Sequence, residues 1–322
     1  MAAADSKPFR ILSLAGGGFL GLYTARVLAA LESRCGEPLG RRFDLLAGTS
    51  VGGMLAVGLA FEVPMVRLVE LFVDRGSEVF SARSLPSGPV ARMLDLSRSV
   101  LGPKYIGDAL RAALAQVLGS RTLSDARHDL VVPAVNVTAS RTKVFKTPHV
   151  PASRGDELVR AVDVAMATSA APAYFPSVAI GESRYADGGL FAVAPDQVAL
   201  HEAEHFMGID VRRVRMLAVG TATAGYRPAR GVGDDGAVDW LSEGRLILTL
   251  VSVQQQHVQA MMEDRLGGRY RRIDAHWPAG AGLGIDVATP AAADTLLALA
   301  DRSVAALEPG ALEAWLGAPA KS

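Results

Sequence analysis

The chain has 322 residues, half of them hydrophobic and a fifth charged. That balance excludes a disordered, collagenous or low-complexity protein. Its 33 basic and 33 acidic residues cancel, so it lacks the broad positive field of a nucleic-acid-polymer binder. Five of the basic residues are Lys and 28 are Arg. The single Cys35 excludes a disulfide framework and a cysteine-built zinc site. The apolar run Met54 to Phe61 is too short to span a bilayer, and residues 1–7 lack a secretory h-region, so the expected address is the cytoplasm.

No repeat of 20 to 50 residues is visible. Phe9 to Leu14 reads as a strand buried on both faces, followed by Gly16-Gly17-Gly18 and apolar residues at helical spacing from Phe19 to Leu31. A second short strand, Phe43 to Ala47, turns through glycines into an apolar helix, Val51 to Phe61. Residues 81–104, with Pro86, Gly88, Pro89 and Pro103, read as an insertion or lid. Strands are expected over 129–137, 142–147, 213–219 and 270–274. Helices are expected over 158–170, 195–206, 239–266, 291–307 and 309–316, and a glycine-rich loop over 221–236. No linker divides the chain, so one α/β domain is expected over 1–322, with a helical C-terminal part from 237 to 318.

Gly48-Thr49-Ser50-Val51-Gly52 fits G-x-S-x-G and sits between a short buried strand and an apolar helix. There a serine occupies a strained turn, and Gly48 and Gly52 let the backbone reverse. The following helix start aims amides at developing negative charge. The bland alternative is a small-residue turn. A serine hydroxyl needs a base. His128 and His149 flank strands in polar loops, His201 and His205 share a helix, His257 lies in a Gln-rich helix, and His276 precedes Trp277-Pro278. None ends a strand in the manner of a catalytic base. Asp187 does, behind Arg184-Tyr185-Ala186 and ahead of Gly188-Gly189, although an ordinary Asp-Gly turn has the same appearance. Amides of Gly16, Gly17 and Gly18 could converge on an oxyanion.

Leu14 to Gly21, Gly48 to Gly52 and Asp187-Gly188-Gly189, in that order, resemble the patatin-like phospholipases over roughly residues 8–200. The resemblance implies a three-layer α/β/α sandwich on a mostly parallel sheet and a phospholipase A-type reaction, without cofactor or metal, that releases fatty acids from membrane phospholipids. It implies Ser50 as nucleophile, Asp187 as base and Gly16 to Gly18 as oxyanion loop, with Gly48, Gly52, Gly188 and Gly189 supporting the two turns. Ala15 and Leu20 stand where the family usually carries an acid and a cation. A catalytically silent binding module is the alternative. Gly18 to Ala25, His201 to Phe206 and Asp264-Arg265-Leu266 further resemble bacterial anti-phage effectors of this family, which a cyclic dinucleotide switches on. That implies a cyclic dinucleotide as partner and leaves the activator-binding residues unassigned. Separately, with no spanning segment and no net charge, contact with the inner face of the membrane is expected to be peripheral, through apolar residues around 54–104, and a homo-oligomer is a further expectation.

Two further motifs compete. Gly16-x-Gly18-x-x-Gly21 fits a dinucleotide fingerprint, but Asp44 opens the second strand rather than closing it. His201-Glu202-Ala203-Glu204-His205 fits H-E-x-x-H, but the longer zinc pattern needs a His where Val211 stands. The expectation there is a solvated helix end.

Overall fold

A computed structural model describes residues 7–82, 102–153, 155–227, 240, 245–278 and 280–317. Most of the expected 81–104 lid and most of the 221–236 loop lie outside the described residues.

Among the described residues, eight strands form one mixed sheet in the order β5-β6-β3-β2-β1-β7-β8, with β4 also on β3. They are β1 (Phe9–Leu14), β2 (Leu45–Gly48), β3 (Leu130–Asn136), β4 (Arg141–Lys146), β5 (Val178–Ile180), β6 (Ser183–Asp187), β7 (Val214–Val219) and β8 (Tyr270–Ile273). β3-β2-β1-β7-β8 are parallel, and β4, β5 and β6 add antiparallel pairs.

Side chains of β1 alternate between two cores, as period-2 geometry requires. Leu12 and Leu14 join Leu46, Val132 and Leu217 against α1 (Gly21–Cys35), α2 (Val51–Ala60), α3 (Met65–Val79), α4 (Asp108–Leu118) and α5 (Ala161–Thr168). Phe9 and Ile11 join Leu45, Val131 and Met216 on the other face against α6 (Asp196–His201) and α7 (Arg245–Leu266). Helix α8 (Pro290–Ala305) covers α1, and α9 (Glu313–Leu316) closes the described chain. This is the expected layered α/β architecture.

The elements that differ from expectation have local reasons. Phe43 and Asp44 precede β2 rather than belonging to it, because a short 3-10 turn over Leu39–Arg42 runs up to Phe43. Helices α3 and α4 and strand β5 were not anticipated, whereas β6 is the strand expected to end at Asp187. α3 exposes much of its surface, leaving Met65, Leu68, Gly76 and Val79 as its buried residues. β5 is only three residues long. The expected helix over 195–206 is α6 only to His201, and Glu202–Phe206 widens into a π-turn.

Candidate active site

The nucleophile turn is built by close approach. Ser50 has φ 56° and ψ −128°, the strained conformation of a strand-to-helix elbow. A Cβ on Gly48 would lie 2.1 Å from the Gly52 carbonyl oxygen, and one on Gly52 would lie 2.2 Å from that of Leu14, so both positions admit only glycine. Thr168, fully buried at the end of α5, pins the turn from outside: its Oγ1 accepts from the Ser50 amide at 3.0 Å and donates to the Pro133 carbonyl at 2.6 Å.

Strand pairing delivers Asp187. β4 occupies one edge of β3, so β2 and β6 share the other. β2 is paired with Leu130 and Val131 and then departs into the elbow, while β6 arrives antiparallel, with Asp187 opposite Ala134. The two strand ends therefore meet over Pro133. Ser50 Oγ donates to Asp187 Oδ2 at 2.7 Å across a separation of 137 residues. The Gly189 amide donates to Oδ1 at 2.6 Å. Asp187 is buried, and that burial pushes its pKa up to about 6 despite the two hydrogen bonds that favour the charged form. No histidine stands between hydroxyl and carboxylate.

Gly16 lies against Ser50: a Cβ there would sit 3.1 Å from Ser50 Cβ. Its amide, however, donates to the Val193 carbonyl at 2.8 Å and is spent structurally. Among the described residues, the amides of Gly17 and Gly18 meet no acceptor. The Gly18 backbone has φ +59°, and a Cβ would fall 2.1 Å from the Ile285 carbonyl oxygen. Ala15 and Leu20 are buried in the core, so neither position presents a charge to the site.

Three polar residues that the sequence reading passed over hold these loops. Gln254 Nε2 donates to the Gly189 carbonyl at 3.2 Å, and Gln255 Nε2 donates to the Gly16 carbonyl at 3.4 Å. Thr221 Oγ1 donates to the same Gly16 oxygen at 3.3 Å. A clue was present in the Gln254-Gln255-Gln256 run, since Gln255 falls on a buried helix face where an amide needs partners. Thr168 gave no such signal.

The H-E-x-x-H segment is not the solvated helix end that was expected. His201 and His205 are exposed and stacked, but Glu202 is buried, and its Oε2 lies 2.6 Å from Lys146 Nζ. His149, in the turn after β4 as expected, turns its side chain inward, and its Nε2 reaches the other Glu202 oxygen at 3.2 Å. Burial would raise the Glu202 carboxyl, but the hydrogen bonds from His149 and Lys146 outweigh it and hold the group below the usual carboxylate range. Among the described residues, no cluster of His, Cys, Asp and Glu could hold a metal. Nor is any described helix long and apolar enough to cross a membrane.

A layered α/β sheet with a strained serine turn on a buried carboxylate places the molecule among the α/β hydrolytic folds built around a serine elbow. The family follows from comparison with known proteins. Residues 12–200 match the patatin-like phospholipase family. The chain is 41% identical over 268 residues to a "cGAMP-activated phospholipase" of Pseudomonas aeruginosa, an alignment covering 83% of this chain and 78% of that protein. It is 34% identical to a protein of the same description from Vibrio cholerae, over 91% and 88% of the two chains. A third such relative, from Escherichia coli, is 33% identical over 70% of this chain and 65% of its own. The chain belongs to the patatin-like phospholipase family, a family of lipid ester hydrolases.

Proposed function

We propose that this protein is a phospholipase A-type acyl hydrolase that uses Ser50 and Asp187 as a two-residue catalytic pair on membrane phospholipids, and that cGAMP switches it on. The observation that carries the catalytic part is the 2.7 Å hydrogen bond from the strained Ser50 hydroxyl to the buried Asp187 carboxylate. Ser50 Oγ attacks the ester carbonyl while its proton passes to Asp187. The tetrahedral oxyanion rests on the unspent amides of Gly17 and Gly18. Its collapse expels the lysolipid alkoxide, which takes the proton back from Asp187. A water then gives its proton to Asp187, its oxygen attacks the acyl-Ser50 ester, and the fatty acid leaves as Ser50 is reprotonated.

A carboxyl lifted to about 6 is a better proton acceptor than an ordinary aspartate and is still ionised at neutral pH. Desolvation thus supplies basicity that an imidazole supplies elsewhere. The substrate class is in keeping with an apolar recess of about 40 Å³ lined by Met54, Leu55, Leu68, Phe72, Phe80 and Leu114, whose lining matches part of an acyl chain in chemistry. Leu190 and Phe191, directly behind the Asp187 turn, are 55% and 38% exposed, as suits residues that touch a lipid surface.

Activation by cGAMP rests on the three relatives so described. The test is fatty-acid release from phospholipid vesicles with and without cGAMP, for the wild type and for Ser50→Ala. Release stimulated by cGAMP and abolished in Ser50→Ala is expected. Equal release from Ser50→Ala would remove the nucleophile assignment, and indifference to cGAMP would remove the switch.

A further inference from the structure

On the far side of Gln254 and Gln255 the molecule carries a second, polar cleft, of about 430 Å³, within the range of small-molecule sites. Its walls are Thr223 and Gly225 after β7, Gln255, Gln256 and Gln259 on α7, and Arg272, Asp274 and His276 at and after the end of β8. The serine elbow follows β2 and the glycine loop follows β1, so both sites lie at the carboxyl ends of parallel strands. Open α/β sheets bind ligands there.

Arg272 is the informative residue. Its side chain is 6% exposed. Nε and Nη2 are satisfied by Asp274, and Nη2 also by Gln255, but Nη1 is buried with no hydrogen-bond partner among the described residues. A buried guanidinium N–H without an acceptor is costly, and at a cleft wall an anionic oxygen satisfies it best. The side chains of His276, Gln256 and Gln259 offer further donors and acceptors suited to a base edge or a second phosphate.

Building on the cGAMP activation argued above, we propose that this cleft is the seat of the cyclic dinucleotide, one phosphodiester taken by Arg272, and that α7 carries its binding to the active site. The relay is short. Gln255 accepts from Arg272 Nη2 and from Thr223 Oγ1 at 3.2 Å, and donates to the Gly16 carbonyl. Its neighbour Gln254 holds the Gly189 carbonyl behind Asp187. A ligand that engages Arg272 redistributes the donors on Gln255 and so shifts the hold of α7 on the loops that flank Ser50 and Asp187.

The test measures binding of labelled cGAMP and cGAMP-stimulated fatty-acid release with the full chain. The variants are Gln256→Ala with His276→Ala, both exposed and outside the catalytic loops, and separately Arg272→Lys, which keeps the charge facing Asp274. Loss of binding by about tenfold or more is expected in each, as deletion of charge-assisted or paired hydrogen bonds predicts, with unstimulated hydrolysis unchanged in the rim double variant. Gln254→Leu, outside the cleft, is expected to bind cGAMP as the wild type does but to respond less.

Wild-type stimulation together with undiminished binding in the rim double variant overturns the cleft and leaves activation standing. A wild type that neither binds nor responds overturns activation itself. Displacement of the label by glycerophosphocholine marks a lipid-headgroup site and also overturns the proposal. Should Arg272→Lys fail to fold, the exposed double variant decides.

Discussion

Asp187 is the register partner of Ala134 on β3, just beyond Val131, the partner of Ala47 at the end of β2. Two strands running in opposite directions thus abut along one edge of a third. Each ends in a glycine turn at the same place, and a Cβ on Gly188 would come within 2.3 Å of the Pro133 carbonyl oxygen that Thr168 also engages. Hydroxyl and carboxylate are positioned by backbone pairing rather than by flexible loops.

The elbow strain gives a first prediction. Ser50→Ala is expected to remain folded and to lose roughly 10⁴-fold or more in acyl hydrolysis. Ser50→Gly is expected to be equally inactive but more stable than Ser50→Ala by about 1 kcal/mol, because glycine tolerates φ 56°. Paired thermal melts and a lipid-release assay check both; equal stability of the two variants would show that the turn is unstrained.

Asp187 sets the pH dependence. With its folded pKa near 6, kcat/KM should rise with pH through a single ionisation near that value and stay level above it. The stability effect has the opposite direction. The unfolded carboxyl ionises near the ordinary value of 3.8 while the folded one holds its proton to about 6, so stability falls as pH climbs between them. The loss amounts to about 3 kcal/mol for two units. Asp187→Asn should therefore be inactive, and its melting temperature relative to wild type should gain between pH 4 and pH 7.

Thr168→Val keeps shape and removes one hydroxyl. The Ser50 amide and the Pro133 carbonyl would both lose a buried partner, at a cost of about 1–3 kcal/mol in stability. Because the elbow then relaxes, kcat should drop about tenfold with KM little altered. Steady-state kinetics on a soluble ester separate the two; a change confined to KM would refute the positioning role.

Glu202 separates the serine and zinc mechanisms. Glu202→Ala strands Lys146 in the interior and should destabilise by about 3–5 kcal/mol. Hydrolysis per folded molecule should persist, and a chelator should leave the wild type unaffected. A zinc hydrolase would show the reverse on both counts.

Surface contact is checked by Leu190→Asp with Phe191→Asp. Activity on phospholipid vesicles should fall severalfold while activity on a short-chain soluble ester is retained, since these exposed side chains are assigned to the lipid surface and not to the chemistry. Parallel loss on both substrates would place them in the catalytic machinery instead.

The sequence by itself determined β1, the elbow and, to within two residues, the strand β2 that enters it. Short apolar runs closed by glycine turns favour buried strands over helices for those segments. It also marked Ser50, Asp187 and the glycine loop as candidates, since strand ends followed by glycine are local features. Helix α3 was passed over although Met65, Leu68, Phe72 and Val79 recur at helical spacing, and the π-turn at Glu202 was obscured because the pull of Lys146 and His149 on that carboxylate comes from a distant strand and its following turn. That the Gly16 amide is committed to Val193, that Thr168 pins the elbow, and that Gln254 and Gln255 grip both catalytic loops are facts of long-range packing. Spacing along a chain fixes which way a strand or helix faces, whereas which polar atoms find each other across the core depends on how all the layers close together, and only the tertiary structure decided that.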